Sequence, residues 1–307
     1  MAELRDDVMV EDAAPLASDT DTPLGPLGHA LLHAAQEART ALDTRDPVKS
    51  VHDLRKAFKR LRALLRLVRG RKKAHDALAL ERALADAARR LSGARDHAAR
   101  QEALDDLVAK AELAPEHAQA AMLALSAPEE SGHATLGVGP HEADLNALVY
   151  RCLIDTPRFA GAMSTGQLVE ALADDYARAR RRGRKVDPAD AEGLHDLRKA
   201  VIAQRYQMGL VTPLWPRLGK VWEDELQRLR DKLGKHHDLA VLAARLAAYE
   251  PGAQDEAWHA AVSAAAGARQ QRLAQSALHL HRRLFAERPR TFRRRIAAYF
   301  DPVSKKE

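Results

Sequence analysis

A six-residue string that occurs twice constrains this chain more than any other feature. His-Asp-Leu-Arg-Lys-Ala stands at 52–57 and again at 195–200. A second, weaker pair follows each copy: Leu-Ser-Gly-Ala-Arg-Asp at 91–96 and Leu-Gly-Lys-His-His-Asp at 233–238. Two landmarks that keep both their order and their spacing indicate an internal duplication. The repeated residues are histidine, arginine and lysine rather than core residues, which indicates that a site is repeated.

The composition predicts an all-α fold. Alanine, leucine and arginine dominate, β-branched residues are sparse, and aromatic residues make up only 4% of the chain, which is typical of helical proteins. Helical periodicity interrupted by proline and glycine predicts the secondary structure. The predicted helices are at about 24–42, 48–70, 74–92, 95–125, 142–155, 165–183, 189–211, 216–233, 236–249, 253–286 and 290–300.

The same pattern predicts how the chain is divided. Residues 1–23 are acidic, and we expect them to be disordered. Residues 24–125 form a first helical half and residues 142–300 a second. The glycine- and proline-rich segment 126–141 is the predicted linker, and 301–307 is a tail.

The positive charge is concentrated in a few segments. The formal net charge is only +6, but residues 49–73 contain eleven Lys or Arg and one acid, and 178–185 contain six Arg or Lys in eight positions. A further row of arginines lies between 282 and 295. Such local excess favours an anionic partner over a merely solvated charged face.

The first copy of the string predicts an amphipathic helix with one basic face. At about 100° per residue, its apolar residues, such as Leu54 and Leu61, fall on the side opposite the cations. Stacking like charges three and four residues apart costs stability, so a helix that does so is predicted to face an anion. Pairing with acids of neighbouring helices, such as Asp86 or Asp105, is the alternative. The predicted binding residues of this helix are His52, Arg55, Lys56, Lys59, Arg62 and Arg66.

The second copy keeps most of this face. Its predicted binding residues are His195, Arg198, Lys199 and Arg205. Ile202 stands where the first copy has Lys59, so the second row of cations is thinner.

The residue types favour an extended polyanion as the ligand. No Gly-rich phosphate loop of the form GxxxxGK[ST] is present, and long rows of arginine and lysine suit many phosphates better than one. Nucleic acid is the rival, but the basic helices carry only Phe58 and Tyr206 for base stacking. Because histidine titrates near neutral pH, we expect binding to strengthen as the pH falls from about 8 to 6.

Other site classes have weak support. One cysteine, Cys152, excludes a disulfide framework and is predicted to be a small core residue. The histidine pairs at 236–237 and at 279 and 281 lack zinc-site spacing, so we predict no metal and no cofactor. No secretory signal or membrane span is found. The sequence therefore predicts a cytoplasmic protein that does not contact the membrane.

Four segments resemble the CHAD family, α-helical domains named for conserved histidines. VHDLRKAFKRLRALLRL at 51–67 and LHDLRKAVIAQRYQMGL at 194–210 are similar to its two histidine helices. LSGARDHA at 91–98 and LGKHHDLAVL at 233–242 are similar to its L-G-x-x-R/H-D segments. Ser92 in place of glycine, and the loss of cations at 202–204, depart from the family pattern.

The resemblance implies a fold and a function. The fold is two helical bundles related by a pseudo-two-fold axis, with a basic channel between them. The function is non-catalytic binding of inorganic polyphosphate and association with polyphosphate granules. By matched position it adds two binding residues to those predicted above, Arg95 and His237. Some members are fused to a triphosphate-cleaving domain with an E-x-E-x-K signature, which this sequence lacks. An enzyme acting on polyphosphate or nucleotides, and a nucleic-acid-binding protein, are the alternatives.

Overall fold

The computed structural model of the 307-residue chain describes residues 24–69, 74–91, 95–125, 138–160 and 163–301. These residues form eleven α-helices and no strand, which confirms the all-α prediction. The helices are α1 (Pro26–Leu42), α2 (Pro47–Leu65), α3 (Ala74–Arg90), α4 (Arg95–Ala109), α5 (Pro115–Leu125), α6 (Glu142–Ala160), α7 (Thr165–Lys185), α8 (Ala191–Met208), α9 (Pro216–Ala247), α10 (Glu256–Leu284) and α11 (Pro289–Phe300). Short 3₁₀ turns lie at Arg66–Val68, Gly139–His141 and Thr212–Leu214.

Aspartate caps begin both helices that carry the repeated string. The Asp46 carboxylate accepts hydrogen bonds from the backbone N–H groups of Val48 and Lys49, and Pro47 occupies the first turn. Asp190 caps α8 in the same way through the N–H of Gly193, at 2.8 Å. Capping satisfies donors that have no partner inside the helix. The helix start predicted at Asp46-Pro47 is confirmed.

Three predicted helix boundaries were wrong. The segment 95–125 is two helices, α4 and α5, separated at Ala111, whose φ of 54° cannot continue a right-handed helix. Pro157 lies inside α6, which continues to Ala160 instead of ending near 155. The segments 216–233 and 236–249 form the single helix α9, so Gly234 lies in a helix interior.

The helices pack around two hydrophobic cores. The larger core draws on α1, α2, α3, α6, α7 and α8, together with the first half of α9, the end of α10, and α11. The smaller core draws on α4, α5, the second half of α9 and the first half of α10. Each core combines residues from before 126 with residues from after 141. The division of the chain into two duplicated halves stays a prediction from the repeat.

Helices α9 and α10 connect the two cores. The His259 ring contacts the Leu246 carbonyl at 3.0 Å, so the two long helices run antiparallel from the turn that joins them. Within the described ranges no helix is both long and apolar enough to cross a membrane. Phe58 and Cys152 are completely buried in the larger core, as predicted, and burial raises the pKa of the Cys152 thiol to about 12.

Candidate polyanion-binding site

The cations of α2 lie along one side of the helix, which we call the first basic stripe: His52, Arg55, Lys56, Lys59, Arg62 and Arg66. The other side is buried in the larger core through Leu54, Ala57, Phe58 and Leu61. His52 and Lys56 are exposed, and the other four are partly buried. This arrangement follows from the apolar and basic periodicity of the sequence, because side chains three and four residues apart share a face.

Arg60 lies on α2 outside this stripe. Its guanidinium forms an ion pair with Glu37 of α1 at 3.0 Å. The acids Asp86 and Asp105, considered as partners for the stripe, bond to Arg89 and Gln101 of their own helices. Each of these two acids therefore has a polar partner within its own helix.

The middle of the first stripe is a partly buried arginine cluster. Arg55 donates to the Leu91 carbonyl at 2.7 Å, which holds its guanidinium near the end of α3. Burial lowers the pKa of Arg62; Glu81 opposes this effect, while Arg66 and two further arginines add to it. Arg62 Nε is buried and has no hydrogen-bond partner among the described residues. A partly buried guanidinium that lacks an acceptor is stabilised by an added anion.

The end of the stripe is tied to two other helices by a buried carboxylate. Asp175 of α7 is 4% exposed. It forms an ion pair with Arg66 at 3.3 Å, and its oxygens accept from Arg178 Nε at 2.9 Å and from Gln207 Nε2 of α8 at 2.5 Å. Burial alone would raise the pKa of Asp175, but Arg66, Gln207 and Arg178 bring it below its ordinary value. Gln207 also donates to the Ala63 carbonyl at 2.9 Å, which joins α2 to α8.

This carboxylate network was not predicted from the sequence. Asp175 lies 109 residues from Arg66, and no local pattern relates them. For Arg66, the alternative of pairing with an acid of a neighbouring helix is therefore observed.

The second basic stripe lies on α8 and consists of His195, Arg198, Lys199 and Arg205. The His195 ring stacks on the ring of His237 from α9, with centroids 4.1 Å apart and planes inclined by 26°. Burial, His237, Lys199 and Arg198 lower the pKa of His195 to about 4. The structure thus brings together two predicted site residues that are 42 positions apart in the chain.

Equivalent residues of the repeat make comparable contacts. Arg198 lies against Gly234, where a Cβ would approach its guanidinium to 3.6 Å. Gly234 follows Leu233, the counterpart of the Leu91 whose carbonyl binds Arg55. Both arginines therefore cross their neighbouring helix at the same place in the repeat.

The remaining cations of the second stripe have different surroundings. Lys199 is exposed and its Nζ donates to Asp196 at 2.9 Å. The Arg205 guanidinium lies 5.6 Å from the centroid of the Tyr206 ring, within the range of a cation–π contact. Like Arg62, Arg205 has a buried Nε with no hydrogen-bond partner among the described residues.

The positions that break the basic pattern of α8 are partly explained by burial. Ala203 is 5% exposed and Gln204 is 1% exposed, so neither could present a cation to solvent. Ile202, the counterpart of Lys59, is partly buried. Burial therefore accounts for the missing cations at 203 and 204 but not for Ile202, because its counterpart Lys59 is also partly buried.

Some expected features fall elsewhere or cannot be placed. Arg95 begins α4, but its side chain lies outside the described residues. Asp238 lies inside α9 and therefore does not cap a helix. Of the arginine row near the C-terminus, Arg295 pairs with Glu287 at 2.8 Å and Arg293 with Glu170 at 3.6 Å. In the described part of the chain no group of three or more His, Cys, Asp or Glu side chains is placed to hold a metal ion.

The fold and the site together define an all-helical protein in which two helices with the same His-Asp-Leu-Arg-Lys-Ala string present partly buried rows of cations. The CHAD domain family model matches residues 26–247, from the start of α1 to the end of α9, and the chain belongs to this family. Searches of curated proteins and of solved structures find no match.

Proposed function

We propose that the protein binds inorganic polyphosphate along the two basic stripes and does not cleave it. The observation that carries the proposal is that each stripe contains a partly buried arginine, Arg62 or Arg205, whose Nε has no hydrogen-bond partner among the described residues. Leaving a buried charged donor unpaired is costly. An anion that runs along both stripes would bring acceptors to these two guanidinium groups and so offset this cost.

The family and the arrangement of charges support polyphosphate as this anion. Membership of the CHAD family suggests a polyphosphate-related function. The repeated helices pack against each other, and we infer that the two stripes form one surface or channel that a long chain can follow. Among the aromatic residues of α2 and α8, Phe58 is buried and Tyr206 is partly buried, which disfavours base stacking and hence single-stranded nucleic acid.

The carboxylates beside the stripes favour binding over catalysis. A general base needs a pKa near the working pH. Asp175 and Asp196 instead have lowered pKa values: Asp175 because of Arg66, Gln207 and Arg178, and Asp196 chiefly because of Lys199. Both remain ionised and serve to hold cations in place.

The test is a titration with a length series. Orthophosphate, tripolyphosphate and long-chain polyphosphate are compared at fixed salt. We expect affinity that rises with chain length and then levels off, falls steeply with salt, and drops in the His52→Ala/His195→Ala variant. Equal affinity for orthophosphate and long chains would contradict the proposal.

Two further measurements separate the alternatives. Incubation with polyphosphate and Mg²⁺ should release no phosphate, and release that the stripe variants abolish would instead indicate an enzyme. DNA or RNA should fail to displace polyphosphate at equal charge concentration.

We also propose that the protein is cytoplasmic and associates with polyphosphate granules. A fluorescent fusion should lose its foci in cells that lack polyphosphate.

A further inference from the structure

A groove between the end of α7 and the start of α8 is not part of either stripe. Its volume is about 490 Å³. One wall is formed by the last two turns of α7, and the other by the first residues of α8. We call it the α7 groove, and it is lined by Arg178, Arg181, Arg182, Lys185, Val186, Asp190, Gly193 and Asp196.

The four cations of the groove share one face of α7. They are spaced i, i+3, i+4 and i+7, which stacks like charges on a helix and costs stability. Arg178 forms an ion pair with Asp175. Arg181, Arg182 and Lys185 are exposed, and none has an ion pair within the described structure. Interaction with the helix dipole favours cations only within about the last turn, so it does not account for Arg178 or Arg181.

The groove adjoins the first basic stripe through one carboxylate. Asp175 lies between Arg66 of α2 and Arg178 of α7, with its two oxygens turned to different guanidinium groups. The Asp175 carboxylate therefore lies between the guanidinium groups of Arg66 and Arg178 and holds them close together. The row of cations on α2 thus continues onto α7.

The groove also adjoins the second basic stripe. Asp196 lines the groove and accepts from Lys199 of the stripe at 2.9 Å. Its pKa is lowered first by this hydrogen bond and further by Arg182 across the groove. Arg182 and Lys199 are therefore neighbours of the same carboxylate.

The two acids in the groove are already engaged. Asp190 Oδ1 accepts from the Gly193 N–H as the cap of α8, and Asp196 is paired with Lys199. The four cations outnumber them. The free donors that face the groove are those of Arg181, Arg182 and Lys185, which suit phosphate oxygens.

We propose that the α7 groove is a third binding segment, occupied by the part of a long polyphosphate chain that extends beyond the two stripes. This inference rests on the proposed function. The two repeated helices do not explain the Arg/Lys run at 178–185. In this inference, that run selects for long polyphosphate chains. A short chain is held by the stripes alone, whereas a long chain also contacts the groove.

The experiment compares two triple variants with equal loss of charge. Arg181→Gln/Arg182→Gln/Lys185→Gln removes the free cations of the groove. Arg217→Gln/Lys220→Gln/Lys110→Gln is the matched control, in which Lys110 is an exposed residue just after α4, a helix of the smaller core. Arg217 and Lys220 are exposed residues at the start of α9, which follows the opposite end of α8, roughly 25 Å away along that helix. Circular dichroism and thermal unfolding check that both variants fold.

For long-chain polyphosphate we expect weaker binding by the groove variant only. The slope of log affinity against log salt should become shallower by about 2, at about 0.7 for each lost phosphate contact. Tripolyphosphate should bind the groove variant as it binds the wild type. Lys185→Gln alone is a milder variant, with an expected change of about 0.7.

The possible outcomes separate the inference from the function on which it rests. Full retention of long-chain affinity and slope by the groove variant, or an equal loss in the control variant, overturns the inference alone. An equal loss for tripolyphosphate also overturns it, because the groove would then not select chain length. Absence of polyphosphate binding by the wild type overturns both proposals.

Discussion

The two histidine helices carry the same six residues but place them in different surroundings. His52 of α2 is exposed, whereas His195 of α8 is partly buried under the ring of His237. The neighbouring helices also differ. On the second side α9 runs unbroken through Gly234 and carries His237 across α8, while on the first side α3 ends at Arg90 and α4 begins at Arg95.

The stripes differ in the same sense. The first has Lys59 and Arg66 where the second has Ile202 and Gly209. A repeated motif thus specifies which residues are available, and the packing of the next helix decides how many of them reach solvent. We infer that the first helix binds the anion more strongly and that the second responds more to pH.

Charge reversal should have the largest effect on binding, and it tests the difference directly. We expect Lys59→Glu/Arg62→Glu to weaken polyphosphate binding by about 3–6 kcal/mol, from two lost charge-assisted contacts that need not be additive. Arg198→Glu/Arg205→Glu should weaken it by less, because the second stripe has fewer cations beside them. The measurement is a titration at fixed salt after circular dichroism shows that both variants fold. A greater loss in the second pair would reverse the ranking of the two helices.

Removing Asp175 should have the next largest effect, on stability. This carboxylate joins α7 to Arg66 of the first helix and to Gln207 of the second. Asp175→Ala leaves those groups without their buried partner, which we expect to cost about 3–5 kcal/mol in the free energy of unfolding. Urea unfolding measures it, with Asp174→Ala at the exposed neighbouring position as control. A loss below about 1 kcal/mol would show that the network is not structural.

Restoring the missing cation should reduce the difference between the two helices. Ile202 is the counterpart of Lys59 and is partly buried. We expect Ile202→Lys to strengthen polyphosphate binding by about 1 kcal/mol, the typical net value of one hydrogen bond. Val221→Lys adds the same charge at an exposed position on α9 and is the control. If both variants gain equally, the position of the charge is unimportant.

Near neutral pH the smallest expected effect is the pH dependence of binding. The pKa of His195 is about 4 in the free protein, so this residue is neutral between pH 8 and 6, the range over which the sequence predicted stronger binding. Its contribution to the pH dependence of binding is therefore expected at lower pH. A bound polyanion favours the charged ring and raises its pKa, so binding takes up a proton. Affinity must then rise as the pH falls through the raised pKa of the complex towards 4. An increase of one unit in the pKa on binding corresponds to about tenfold in affinity.

The histidine variants locate this effect. His195→Gln should flatten the profile over that range, because it removes the ring surrounded by His237, Arg198, Lys199 and Asp196. His52→Gln should leave the low-pH rise in place. A profile that His195→Gln leaves unchanged would show that the stacked pair does not titrate with binding.

The sequence was sufficient for features that depend on neighbours along the chain. The all-α class, the start of α2 at its aspartate cap, and the separation of α2 into a buried face and a basic face follow from residues within a few positions of each other. The helix break assumed at Gly234 was wrong for a related reason. Glycine weakens a helix locally, but α9 is stabilised there by its packing against α8.

Only the tertiary structure decided which cations are paired and which are available. The ion pair of Arg66 with Asp175 joins positions 109 apart, and the stack of His195 on His237 joins positions 42 apart. Neither sequence separation has a periodicity that a single helix could reveal. The same holds for the α7 groove, because its two walls acquire their charge from α7 and α8 separately and become one site only when these helices pack together. Burial, and with it the pKa of His195, depends on those long-range contacts.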